Sequence, residues 1–301
     1  ADGPLRPAVK GTDTMNLDNK VLACVDRSPY ADHVTDYAAW AARRMDAPLE
    51  LLHVIDRHPE LGHGDDHSGA LTPNAQQRLL DQLSGDDAVR SKAAREQGRI
   101  FLNRLRERAL RAGVAQVDMR QRHGHLDETL HDQQSGVRLF VLGRRGESAD
   151  TTQAALGGNV ERVARALQRP ILTVTDGFRE PKHILLAFDG SVVTRRGVEM
   201  VANSPLFRGL PLQLLMSGKA RSDGARQMAW ATGTLSAAGF AVRGDIVPGD
   251  AEAVVAQAVH ERGIDLLIMG AYTHSPWRSL LRRSRTADLL ASATIPTLLL
   301  R

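Results

Sequence analysis

The chain has 301 residues, of which 42% are hydrophobic and 25% charged, and its formal net charge is +4. This composition is typical of a globular protein, and a chain of twice the ~150 residues usual for one domain predicts two domains. No apolar run approaches the ~20 residues of a membrane-spanning helix. The single cysteine, Cys24, excludes a disulfide framework. Because no basic motif is present, nucleic-acid binding is a minor hypothesis, and we expect a cytoplasmic protein without membrane contact.

Predicted strands and helices alternate through the first half of the chain. Residues 1–14 precede these elements and are interpreted as a leader or an expression remnant. Apolar residues at three- and four-residue spacing predict the helices, and continuous runs of Val, Ile and Leu predict the strands. The predicted strands cover 20–26, 49–55, 114–121, 138–142 and 170–175, and the predicted helices cover 30–46, 90–112, 126–135 and 158–168.

A long polar insertion separates the second strand from the second helix of this half. Residues 56–90 are rich in Gly, Asp, His and Pro, which predicts a long loop or flap with one short helix. Some of its side chains are of the kind that binds zinc, namely His58, His63, His67, Asp65 and Asp66. We predict no metal site, because such a site needs a rigid frame and this stretch has the composition of a loop.

The second half repeats the alternation without the insertion. Its predicted strands cover 183–188, 211–217, 240–247, 264–269 and 295–300, and its predicted helices cover 194–203, 223–238, 250–262 and 284–293. Continuous apolar strands that alternate with helices predict parallel sheets covered on both faces. In such sheets a ligand binds beyond the carboxyl ends of the strands, where the strand order reverses.

Three landmarks occur in the same order in both halves and indicate a duplication. Each half opens with a lysine, an apolar run and a turn with aspartate and serine, which read KVLACVDRSPY in 20–30 and KHILLAFDGSV in 182–192. Each continues with an apolar strand that ends in glycine, and closes with a strand that follows a proline. We therefore predict an α/β protein with two doubly wound, Rossmann-like domains in tandem, over residues 15–177 and 181–301.

The loop after the strand 138–142 carries the residues that best suit a bound phosphate. They are Gly143, Arg144, Arg145 and Gly146, then, after ten further residues, Gly157, Gly158, Asn159 and Val160. Glycine lets the backbone approach a phosphate closely, the free N–H groups at a helix N-terminus favour an anion, and arginine adds charged donors. The alternative is an ordinary turn before a helix that Asn159 caps.

Together these landmarks resemble the universal stress protein family, over roughly residues 18–175 and 181–301. The resemblance implies two domains packed as a pseudo-dimer, because single-domain members of the family form homodimers around the terminal strand. It also implies binding of an adenine nucleotide, that is ATP, ADP or AMP, with or without Mg²⁺. A further homodimer of the whole chain is compatible with this arrangement.

In the first half the resemblance assigns roles to the candidate residues. Asp26 would bind the ribose, and the backbone around Val54 would contact the adenine. The phosphates would be held by Gly143, Gly146, Gly157, Gly158 and Asn159, with Arg144 and Val160 in the same two stretches. The family pattern has nine residues between its second and third glycines and a hydroxyl residue after the third, whereas this chain has ten residues and Gly158.

The second half departs further from that pattern, and we predict a degenerate second site. Thr273 stands where the second glycine belongs, and Arg283 and Ser284 occupy the Gly-Ser position. An arginine side chain at a close-approach glycine would fill phosphate space. The neighbouring basic residues are either a solvated helix face or an anion site of their own, and they are Arg278, Arg282, Arg283 and Arg285.

The sequence thus predicts a stress-response protein that binds an adenine nucleotide in its first half and acts as a regulatory or binding module. The sequence contains neither the Gly-x-Ser-x-Gly motif of serine hydrolases nor the Gly-x4-Gly-Lys-Ser/Thr motif of P-loop NTPases. We assign no catalytic residue and expect at most weak ATP hydrolysis. The alternatives are a nucleotide-free interaction protein and a slow ATPase.

Overall fold

The computed structural model describes residues 19–55, 73–144, 158–218, 222–270 and 295–301; for 73–91, 158, 159, 161 and 252 it describes the backbone alone. The strands are β1 Lys20–Cys24, β2 Leu49–Ile55, β3 Val117–His123, β4 Val137–Gly143, β5 Ile171–Val174, β6 Ile184–Ala187, β7 Leu212–Gly218, β8 Val242–Pro248, β9 Leu266–Gly270 and β10 Thr297–Leu300. The helices are α1 Ala31–Met45, α2 Pro73–Arg111, α3 Leu126–Gln133, α4 Gly158–Ala166, α5 Val192–Asn203, α6 Gly224–Ala237 and α7 Ala251–Glu261.

The ten strands in the described part of the chain belong to one sheet, in the order β3-β2-β1-β4-β5-β10-β9-β6-β7-β8. Within each half the neighbouring strands are parallel. In each half the first strand lies in the middle, with the second and third strands on one side and the fourth and fifth on the other. The strand order therefore reverses between β1 and β4 and again between β6 and β9. The predicted α/β fold with doubly wound parallel sheets is therefore confirmed.

Helices cover both faces of the sheet, as the continuous apolar strands require. One hydrophobic cluster contains side chains of α1, α2, α5 and α6, and Trp40 and Tyr37 are its largest buried residues. The other cluster contains side chains of α3, α4 and α7, including Leu130, Val163 and Val255. Among the helices that the structure describes, none combines the length and the apolar character needed to cross a membrane.

The two halves join through their terminal strands. β5 and β10 are antiparallel, with Thr173 opposite Thr297, and the Thr173 hydroxyl donates to the Thr297 carbonyl oxygen at 3.1 Å. A second contact lies away from the sheet, where Arg44 Nε of α1 donates to the carbonyl oxygen of Leu206 at 2.5 Å. The junction thus includes backbone pairing, a buried hydroxyl and arginine side chains that bond across the halves, Arg44 among them.

Most predicted elements are confirmed where the structure describes them, with ends that differ by at most three residues. The exception is the insertion 56–90, whose prediction as a loop with one short helix is wrong for residues 73–90. These residues belong to α2, a continuous helix of 39 residues. The good helix formers Gln, Arg, Leu and Ala outweigh Gly85, which costs about 1 kcal/mol in a helix interior. Residues 56–72, with the histidines of the insertion, and the predicted helix 284–293 lie outside the described residues.

Candidate functional site

The predicted site of the first half lies at the carboxyl ends of β1 and β4. These strands are neighbours, with Cys24 paired to Leu142, so the residues that follow each strand leave the sheet side by side. Asp26 follows β1 by two residues, and Gly143 is the last residue of β4. This edge is where the strand order of the first half reverses, which is the usual ligand position in doubly wound sheets.

A local turn holds the Asp26 carboxylate at this edge. Its Oδ1 accepts hydrogen bonds from the Ser28 backbone N–H at 3.1 Å and from the Ser28 hydroxyl. Aspartate favours such turns because its short side chain reaches the backbone two residues ahead. Ser28 is buried and Asp26 is half-buried, so Asp26 is held in place by the protein and remains partly exposed at this edge. Its role as ribose ligand stays a prediction.

The end of β2 lies beside this turn. His53 is buried, and its Nδ1 lies 2.9 Å from the carbonyl oxygen of Val25. Its ring packs edge-to-face on Phe101 of α2 with 5.5 Å between ring centroids, so His53 is a packed core residue. Val54, the next residue, is half-buried and packs against the other face of the sheet. The backbone at Val54 therefore reaches the edge on a rigid strand, and its contact with adenine stays a prediction.

Arg144 occupies a different environment from the one the sequence suggests. Its side chain is 3% exposed, and a terminal guanidinium nitrogen donates to Thr297 Oγ1 at 3.0 Å and to the Ile295 carbonyl oxygen at 3.1 Å. Its backbone N–H donates to Val174 O at 2.8 Å. Arg144 thus ties the start of the predicted phosphate loop to the second half. No sequence signal could reveal this contact, because its partners lie about 150 residues further along the chain.

The rest of the predicted phosphate loop is described in part. Gly146 and Gly157 lie outside the described residues, whereas Gly158 is the first residue of α4 and Asn159 and Val160 follow in its first turn. α4 leads from β4 back to β5, so its N-terminus faces the carboxyl edge of the sheet. The Val160 side chain is buried in the core. Only the backbone of Val160 can therefore serve a ligand.

The second half has a related turn at the corresponding edge. Asp189 Oδ1 accepts hydrogen bonds from the Ser191 N–H at 2.9 Å and from the Thr194 hydroxyl at 2.7 Å. The Ser191 hydroxyl in turn accepts from the Thr194 N–H and caps α5. Gly190 has φ +73°, and a Cβ there would lie 2.0 Å from Gln227 Oε1. Residues 271–294, with the basic residues predicted to replace the phosphate glycines, lie outside the described residues.

Buried charges in the first half lie away from this edge. Lys20 Nζ lies 2.8 Å from Glu50 Oε2, and Arg120 Nε lies 3.2 Å from Glu50 Oε1.

The single cysteine is not a reactive thiol. Burial raises the pKa of the Cys24 thiol, and the negative charges of Glu50 and Asp26 raise this pKa further. The thiol therefore stays protonated at neutral pH and is no nucleophile. Among the described residues no three His, Cys, Asp or Glu side chains form a group that could hold a metal ion.

Comparison with known proteins gives consistent results over nearly the whole chain. The model of the universal stress protein family matches residues 19–175 and again 180–301. Universal stress protein Slr1230 of Synechocystis sp. is 30% identical over 284 residues, which are 93% of this chain and 99% of that protein.

Solved structures show the same fold at lower sequence identity. A universal stress protein from Archaeoglobus fulgidus has a TM-score of 0.68 at 16% identity, covering 94% of this chain and 96% of its own. The functionally unknown protein PA1789 from Pseudomonas aeruginosa has a TM-score of 0.56 at 15% identity, covering 96% and 94%. The tandem arrangement of two such folds in one chain is therefore shared with known structures.

Proposed function

Because the chain belongs to the universal stress protein family, we propose that it binds an adenine nucleotide in its first half. ATP, ADP and AMP share the adenosine moiety that Asp26 and the Val54 backbone would contact. Mg²⁺ would accompany the phosphates. We further propose a cytoplasmic role as a regulatory or binding module of the stress response, with no catalytic residue assigned.

One observation carries this proposal: Asp26 and Gly143 leave neighbouring strands at the edge where the strand order of the first half reverses. The Asp26 carboxylate is held there by Ser28 and can accept hydrogen bonds from ribose hydroxyls. The N-terminus of α4 opens at Gly158 on the same edge, and unpaired N–H groups at a helix N-terminus suit phosphate. The remaining proposed phosphate contacts are Gly146, Gly157 and Asn159, with Arg144 at the start of the loop.

We propose that the second half does not bind this ligand. It retains an aspartate turn at Asp189, but its sequence has Thr273 and Arg283 where the phosphate glycines belong. In addition, the Gln227 side chain packs on Gly190 beside that turn. The antiparallel pairing of β5 with β10 supports the intramolecular pseudo-dimer, in which one active and one degenerate half share a sheet.

Titration calorimetry with ATP and Mg²⁺ tests the proposal, after the denatured supernatant has been checked for carried-over nucleotide. We expect one site per chain. Asp26→Asn should weaken binding about tenfold, because a hydrogen bond to a charged acceptor becomes a weaker one. Asp189→Asn is the matched control in the second half and should leave the affinity unchanged.

Three results would contradict the proposal. Two sites per chain would show that the second half also binds the nucleotide. Loss of binding in Asp189→Asn with normal binding in Asp26→Asn would place the site in the second half. Absence of both binding and carried-over nucleotide would favour a nucleotide-free interaction protein.

A further inference from the structure

The two outer strands of the sheet are covered to different degrees. Because β5 and β10 pair with each other, β3 and β8 form the outer edges. An outer strand carries backbone N–H and C=O groups that can pair with another strand. Gln121, the fifth residue of β3, lies under Gly98 of α2, whereas Ile246, the fifth residue of β8, is 47% exposed. β8 is therefore the less protected edge.

The covering helices contact different parts of the two outer strands. α2 passes over β3 from Gly98, which lies against Gln121, to Arg106, whose Nε donates to the Val117 carbonyl oxygen at 3.1 Å. α6 contacts the middle of β8, where a Cβ at Gly244 would come within 2.9 Å of Met228 Sδ and of Thr232 Oγ1. Ile246 lies beyond this contact and faces solvent.

The sequence of β8 is complementary to itself in antiparallel register. If two copies pair about Gly244, Val242 of each lies opposite Ile246 of the other, and Arg243 lies opposite Asp245. Side chains alternate along a strand, so the apolar pairs occupy one face and the charged pairs the other. Apolar pairs and opposite charges directly across two strands both stabilise a sheet.

The charged residues are arranged to meet such a partner. The Arg243 side chain is 77% exposed, and its Nε lies 3.5 Å from Asp245 Oδ1. Arg262 Nη1 donates to Asp245 Oδ2 at 2.6 Å, which holds this carboxylate in place and leaves Oδ1 toward Arg243. Charges on an outer strand usually prevent pairing, but here opposite charges face each other in the symmetric register and attract.

We propose that the protein forms a homodimer through antiparallel pairing of β8 with β8 of a second copy. The interface has twofold symmetry, uses the same surface on both copies and continues the sheet across them. Intramolecular pairing of β5 with β10 already occupies the terminal strands, so a second copy needs another edge. The proposal does not depend on nucleotide binding.

Sedimentation velocity of the full chain over a range of concentrations tests this interface. We expect a dimer whose dissociation constant rises at least about tenfold in Arg243→Asp, because aspartates then face each other across the strands. Ile246→Lys should weaken it as well, since it places a charge opposite Val242. The matched control is Arg122→Asp on β3, an exposed arginine whose charge change should leave the dimer intact.

Circular dichroism confirms that each variant is folded before its mass is measured. A chain that stays monomeric at all concentrations would overturn the proposal. So would a dimer that both β8 variants leave unchanged, or one that Arg122→Asp weakens instead.

Discussion

The two halves place different polar groups at matching positions of the same sheet. Near the amino edge of the first half, Glu50 is buried between Lys20 and Arg120. In the second half Gln213 stands at the position of Glu50 and Asp245 at that of Arg120. The cation there comes from outside the sheet, because Arg262 follows α7 and donates to both side chains.

The carboxyl edges of the two halves are more alike. Asp26 and Asp189 both accept a hydrogen bond from the N–H two residues ahead. In the first half the serine hydroxyl also donates to the aspartate, whereas in the second half Thr194 does so and Ser191 caps α5. A duplicated fold thus keeps its turn at the carboxyl edge of the sheet, while the partners of its ion pairs differ between the halves.

Replacing Glu50 should cause the largest loss of stability. Glu50→Gln leaves the buried Lys20 ammonium without a counter-charge, and breaking a buried pair from one side costs about 3 kcal/mol or more. Urea unfolding followed by circular dichroism measures this loss. Glu107→Gln, which alters an exposed helical ion pair, is the control and should change nothing measurable.

The ion-pair explanation also predicts a rescue. Adding Lys20→Met to Glu50→Gln removes the uncompensated cation and should restore part of the free energy of unfolding. Equal stability of the single and double variants would contradict the importance of the pair.

Arg144→Ala should have an intermediate effect. It removes the donor to Thr297 and Ile295. The second half has Ala271 at the corresponding position, and alanine has no side-chain donor that could make an equivalent bond in the other direction. The loss of buried hydrogen bonds should lower stability by about 2 kcal/mol. Urea unfolding checks this, with the exposed Arg196→Ala of α5 as control.

The same variant tests the predicted phosphate contact of Arg144. A role in the site predicts weaker binding of ATP in calorimetry as well as lower stability. Unchanged stability would show that the contacts with β10 are dispensable.

Ser191→Ala should have the smallest of these effects. The Ser191 hydroxyl accepts from the Thr194 N–H at the start of α5, and losing a helix cap of this kind costs about 1 kcal/mol.

Ser28→Ala is the counterpart in the first half, where α1 has no side-chain cap. Thermal unfolding of Ser28→Ala should show a lower Tm, although no helix cap is lost. Its ATP affinity should fall as well, because Asp26 loses the hydroxyl donor that holds it. Ser191→Ala should leave the ATP affinity unchanged.

Much of the fold could be predicted because its signals are local. Apolar runs with a turn at each end identify the strands, and the repeated Asp-x-Ser turns and terminal prolines identify the duplication. The turn at Asp26 was predictable as well, because it depends on residues two positions apart. The length of α2 was not, because Gly85 and the surrounding polar residues suggest an interruption that the helix does not make.

The sequence by itself determined the alternation of strands and helices, the tandem repeat and the family, since each rests on short-range pattern and order. Only the tertiary structure decided that β5 pairs with β10, that Arg144 bonds to the second half, and that β8 is the more exposed of the two outer strands. These features depend on contacts between residues far apart in the chain. Such contacts leave no periodic signal, because their partners are chosen by packing and by burial of charge rather than by neighbours in sequence.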